Sequence, residues 1–153
     1  MCKGPLIFLL LSLGIHAFGQ PDTIHKADSL KLFGSFQDDY GINYRINGKF
    51  WDQLAINYHE VLEWNWEEQY ILLRNDPDNP GEGGLYSRID YLFLERMEPY
   101  TWAYCLSAFD APSLEVAREN KVADRKHPKT GCNGYPFSRM KRMTEDKNKK
   151  WKK

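Results

Sequence analysis

A chain of 153 residues leaves room for one domain, and a composition that is 42% hydrophobic and 14% aromatic excludes a wholly disordered polypeptide. Its 21 basic residues balance 21 acidic ones, which removes the electrostatic case for a nucleic-acid partner. The sole run apolar enough for lipid, residues 6–15, is too short to span a bilayer.

That run has the layout of a secretory signal peptide. Lys3 supplies the positive end, and Ala17 and Gly19 place small residues at the third and first positions before a cut ahead of Gln20. Residues 1–19 are therefore assigned as signal peptide, cleaved between Gly19 and Gln20, and the mature chain as secreted or periplasmic without a transmembrane span. Cys2 leaves with the peptide. Cys105 and Cys132 remain, and in an oxidising compartment two cysteines are expected to pair. Closing that loop contributes about 3.5 kcal/mol in the chain-entropy treatment.

Residues 20–32 are polar and aperiodic and read as a linker. Between residues 33 and 109 there are 17 aromatic residues in 77, and the apolar spacing is that of strands rather than helices. Ile42, Tyr44 and Ile46 alternate with polar neighbours, and Asn47-Gly48 follows, which predicts a hairpin through a type I′ turn into a strand opening at Phe50-Trp51. Leu62, Trp64 and Trp66 are placed on one face of the next strand. Residues 69–74 are almost continuously apolar, as in a strand covered on both sides. Residues 75–84 are dense in turn formers. Beyond them, Leu85, Ile89, Tyr91 and Phe93 face one way and Arg88 and Asp90 the other, while Tyr100, Trp102, Tyr104 and Leu106 share a face. After Pro112, Ser113 caps one short helix. Residues 139–153, with eight basic and two acidic side chains, read as a disordered basic tail. The predicted fold is mainly β: a single domain over residues 33–138, an antiparallel, strongly curved sheet or small barrel of five to seven strands, with one short helix near the C-terminus.

The opening Phe33-Gly34-Ser35-Phe36 resembles the first-strand signature of lipocalin-like (calycin-type) barrels, although a full lipocalin has eight strands and more residues than this chain offers. Asp38-Asp39-Tyr40-Gly41, Trp64-Asn65 and the segment from Gly131 through Cys132 to Phe137 resemble small exported bacterial β-domain proteins of unassigned function. The resemblance implies export and a β domain and assigns no chemistry.

No residue is singled out as catalytic, and no cofactor or metal is implied. Asp38 and Asp39 point to opposite faces of a strand and cannot share a proton. Asp76 to Glu82 fails the spacing of a calcium loop, because Pro80 stands where a ligand is needed. The histidines are isolated from one another. The aromatic set, including Trp51, carries the functional reading. Most of these rings fill a core, and Trp64, Trp66, Tyr86, Trp102 and Tyr104, with Arg88 and Asp90 as inward polar contacts, are the candidate lining of a barrel mouth that holds a small apolar or aromatic ligand. The leading expectation is an exported, non-enzymatic binding module for such a ligand or for an envelope component. Two alternatives stand beside it: docking on an anionic envelope surface through the basic tail, and an enzyme built on Asp39, Asp90 and Tyr40.

Overall fold

A computed structural model describes residues 21–144; the predicted signal peptide and the tail beyond Thr144 lie outside them. Eight antiparallel strands close into a barrel in chain order: β1 (Gly34–Asp38), β2 (Asn43–Ile46), β3 (Phe50–Gln53), β4 (Asn57–Asn65), β5 (Tyr70–Asn75), β6 (Tyr86–Phe93), β7 (Tyr100–Ala111) and β8 (Ser138–Arg142). Two helices accompany them, α1 (Pro21–Leu32) and α2 (Leu114–Glu119). A closed eight-stranded up-and-down barrel is compatible with a lipocalin-like fold.

The expectation of five to seven strands and one helix is corrected on three counts. Strands β1, β2, β3 and β8 have only four or five residues each, so a closed barrel fits in a shorter chain than expected. β8 occupies residues assigned to the tail. Basic composition hid its alternation: Met140 is fully buried between more accessible Arg139 and Lys141, and it pairs with Asp38 of β1 and Trp102 of β7, which closes the sheet. The predicted linker is helix α1, and its last residue, Leu32, joins the core at 1% exposure.

Arg142 fixes α1 to the barrel. Its guanidinium lies 4.7 Å from the centre of the Phe36 ring and donates to the carbonyls of Phe33, Leu30 and Lys31 at 2.9, 2.7 and 3.0 Å, satisfying orphan acceptors at the helix end. Gly34, with φ +137°, permits this approach, because a Cβ there would overlap the guanidinium. Phe33 then meets the rings of Trp64 and Trp66, which stack with centroids 4.8 Å apart. The α1 end of the barrel is thereby closed.

The interior is filled with interlocking rings. Trp102 meets Phe36 edge-on at 5.2 Å and Trp51 at 6.0 Å, and Tyr104 meets Trp51 at 5.1 Å and Tyr44 at 5.9 Å. Ile46, Ile71, Leu73, Ile89 and Tyr91 complete the cluster. Two faces differ from expectation. A bulge between Val61 and Glu63 shifts the register, so Val61, not Leu62, joins Trp64 and Trp66 against the core, and Leu62 is left exposed. A second irregularity, between Tyr100 and Trp102, leaves Tyr100 beneath the cations of Arg139 and Lys141. β5 is buried on both sides as expected: Ile71 and Leu73 face inward, while Tyr70 and Leu72 pack under α2.

The hairpin at Asn47-Gly48 forms, but not through a type I′ turn. Neither residue has positive φ; instead the Asn47 side chain accepts from the Lys49 and Phe50 amides at 2.7 and 3.0 Å. The same dipeptide at Asn133-Gly134 does adopt φ of 53° and 89°, joined by reciprocal bonds of 2.9 Å between Cys132 and Tyr135.

Candidate functional site

The candidate surface is built on the outside of β5, β6 and β7, where α2 and the coil over residues 121–137 cover the sheet. Strand alternation sends Tyr86, Arg88, Asp90 and Leu92 outward from β6, opposite Ile89 and Tyr91. Arg88 and Asp90 are consequently not inward contacts at a mouth, as expected from sequence. Both are buried beneath the covering layer, at 3% and 2% exposure. Arg88 donates from Nε and Nη2 to the two Asp90 oxygens at 2.9 and 3.0 Å, stacks 4.1 Å from the centre of the Tyr70 ring and reaches the Arg118 carbonyl at the end of α2. Ser107 also donates to Asp90. Arg125, from the coil, adds bonds to Asp90 at 2.7 Å and to the carbonyls of Tyr91, Glu68 and Gln69. One buried cation, one half-buried cation and one buried carboxylate thus clip helix and coil to the barrel.

Above this clip, Glu63 accepts from Tyr70 and Arg118 at 3.0 and 2.7 Å, and the Arg118 guanidinium holds its carboxyl below the usual carboxylate range. Ser113 caps α2 by accepting from the Val116 amide, as expected. The Cys105–Cys132 disulfide forms as expected, with Cα atoms 5.4 Å apart, and staples the coil to β7. Gly131 allows the coil to fold tightly, since a Cβ there would strike the Asp124 and His127 carbonyls.

The clip and staple leave a groove between the coil and the barrel wall. Leu94 and Met97, from the β6–β7 connection, form one side with Ala103 of β7. Pro128, Pro136 and Phe137 form the other. Its volume of about 520 Å³ falls in the range of small-molecule sites. Tyr40 stands at one edge, 69% exposed, beside Asp39 and Arg139, and Lys129 lines the coil side. Asp39 accepts from the Arg139 backbone amide at 3.1 Å and from its Nε at 2.8 Å.

The barrel end opposite α1 is a smaller cup of about 180 Å³. His59, Asn75 and Ser87 form its floor, and exposed Leu106 and Phe109 form an apolar wall. Its polar groups largely satisfy one another: Ser87 donates to Asn75, and Asn75 donates to the Glu82 and Phe109 carbonyls. His59 donates to the Trp51 carbonyl, and burial keeps its ring neutral by pushing its pKa down. Below the cup, Tyr44 donates to buried Asp38 at 2.9 Å and shares a 2.8 Å bond with Tyr104, whose own pKa burial pushes up to about 12.

The seven residues expected to line one mouth are therefore divided. Trp102 and Tyr104 belong to the filled interior, Trp64 and Trp66 to the closed end, and Tyr86, Arg88 and Asp90 to the outer face. Asp39 and Tyr40 share the groove edge, while Asp90 is engaged in the buried clip. Sequence reading named Asp39 and Tyr40 but missed the apolar walls, Leu94, Met97, Ala103 and Pro128. Only the disulfide hinted at them, because it required the coil from Pro128 to Phe137 to lie along β7. No helix among the described residues is long and apolar enough to cross a membrane. No protein-family model, curated protein or solved structure matches the chain.

Proposed function

We propose that this chain is an exported, non-enzymatic binding module that takes a small apolar ligand in the groove between the stapled coil and the barrel wall. One observation carries the reading: the barrel interior is filled by its own rings, whereas an apolar-walled cavity of about 520 Å³ stays open on the outer face. Rigid construction supports it. The disulfide and the Arg88–Asp90–Arg125 clip hold both walls before any ligand arrives, which lowers the ordering cost of binding. Export is supported by the apolar run at residues 6–15 and by pairing of the two cysteines of the mature chain.

Titration with the neutral fluorophore phenylnaphthylamine tests the site. Saturable enhancement is expected at one equivalent. It should be lost in Met97→Glu, whose side chain is already partly exposed, and retained in Leu106→Glu at the barrel cup. No enhancement, or enhancement indifferent to Met97→Glu, would overturn the assignment.

A further inference from the structure

We infer that the groove is selective for a free single-chain amphiphile with an anionic head, of the medium-chain carboxylate class, with its head at Lys129 and Arg139 and its chain over Met97 and Phe137. The inference rests on the groove being a ligand site and adds the chemistry of what it takes.

Charge placement carries it. Residues 20–144, which include β8, have 15 basic and 19 acidic side chains, so the body as a whole carries net negative charge that disfavours anions. The groove departs from that background: its lining includes two cations, Lys129 and Arg139, and one carboxylate, Asp39. Asp39 is already neutralised, with one oxygen on the Arg139 amide and the other on Nε. The two terminal nitrogens of Arg139 have no partner among the described residues, and the guanidinium is steadied by the Tyr100 ring at 4.9 Å. Lys129 has no hydrogen bond or ion pair among the described residues.

Lys129 and Arg139 are exposed cations, and they differ from four arginines whose guanidinium groups are engaged by the protein itself. Arg88, Arg118 and Arg125 each pair with a carboxylate, and Arg142 is consumed by three carbonyls. A site with unsatisfied donors at its rim and proline, methionine and phenylalanine on its walls is complementary to a ligand with one anionic end and an apolar body. An apolar ligand without a head group would leave the donors to water, and a cation would meet net positive charge. Charge-assisted bonds to a carboxylate make the head the selective part.

Calorimetry with decanoate and decanol, which share a chain length, separates the two levels of the claim. Decanoate is expected to bind about tenfold tighter than decanol at low salt, and the gap should narrow in high salt as screening weakens the head contact. Lys129→Ala should bring decanoate to within about twofold of decanol, while Lys129→Arg keeps the preference. Asp39→Asn, which preserves an acceptor for the Arg139 amide, should strengthen decanoate and leave decanol unchanged. If neither compound binds, the groove itself is not a ligand site. If both bind equally in the parent protein, the groove stands and the anionic selectivity is wrong. Anionic phospholipid vesicles supply the other arm: co-sedimentation that depends on Lys129, without decanoate binding, would replace the free amphiphile with a membrane surface and overturn the inference.

Discussion

Inside the barrel, Trp102, Tyr91 and Ile89 sit in a cluster of rings and aliphatic chains whose polar contacts centre on Tyr44, bonded to Asp38 and Tyr104. Across the same strands, on the outer face, Arg88, Asp90 and Ser107 are nearly as deeply buried, yet they are joined by directed, charge-assisted bonds. Away from Tyr44 the attraction in the interior is mainly non-directional, so many ring arrangements of similar volume would serve. The outer layer has one acceptable arrangement: Asp90 meets Arg88 and Arg125, and Arg88 meets the Arg118 carbonyl of α2. Stability is general on one side of the sheet and positional on the other. The groove exists because the coil is held in a specific place, so the charged side does more to shape the candidate site.

Single substitutions on either side break this contrast most forcefully. Trp102→Ala should lower the unfolding free energy by about 3–5 kcal/mol through a large cavity, and Asp90→Ala by a similar amount, about 3–5 kcal/mol, because buried Arg88 loses its counter-charge. Urea titration would show similar losses, but amide exchange should differ. In the Asp90 variant, protection should be lost first at Cys132 and Phe137 in the coil, with β1 and β2 still protected. The Trp102 variant should lose protection throughout the barrel. Identical exchange patterns would mean that the two layers form one cooperative unit.

Replacing Cys105 and Cys132 together by alanine sharpens the comparison at a smaller cost, about 2–4 kcal/mol. The far-ultraviolet spectrum should remain that of a folded β protein, while phenylnaphthylamine enhancement falls, because one groove wall is no longer stapled. Retained enhancement would show that the Arg125 bonds alone position the coil.

The smallest effect concerns pH and the barrel cup. Burial lowers the folded-state pKa of His59 below its ordinary 6.5, although the nearby charges of Asp52, Asp76 and Glu82 act in the opposite sense. Above that pH both folded and unfolded chains hold a neutral ring, and stability is unaffected. As pH falls below about 6.5 the unfolded chain takes up a proton that the folded chain refuses, so stability declines until the folded pKa is reached. Thermal unfolding between neutral pH and the carboxylate range should show this slope in the parent protein and a shallower one in His59→Gln. Equal slopes would place the proton uptake elsewhere.

Much of the fold was legible from local pattern. Alternation placed Ile89 and Tyr91 opposite Arg88 and Asp90, continuous apolarity marked β5 as covered on both sides, and Ser113 announced α2. The errors arose where a neighbour overrides the local signal. A bulge that exposes Leu62 is a misfit between β4 and β5, visible in neither strand alone. Asn47-Gly48 and Asn133-Gly134 are the same dipeptide, yet only the second, between residues tied to each other and to Cys105, takes the left-handed turn. β8 looked like tail because its charges outnumber its single buried residue, and only the free edges of β1 and β7 make it a strand.

Sequence by itself determined the antiparallel β class, the disulfide pair and which side chains share a face along most strands. Those properties depend on near neighbours, on backbone alternation and on the number of cysteines left after the predicted cleavage. Tertiary structure alone decided that the sheet closes, that its interior is full, and that the open cavity lies outside beside Met97, Lys129 and Phe137. Packing of ring volumes around a closed circuit, and the meeting of a coil with strands far from it in the chain, are set by distances that no local pattern encodes.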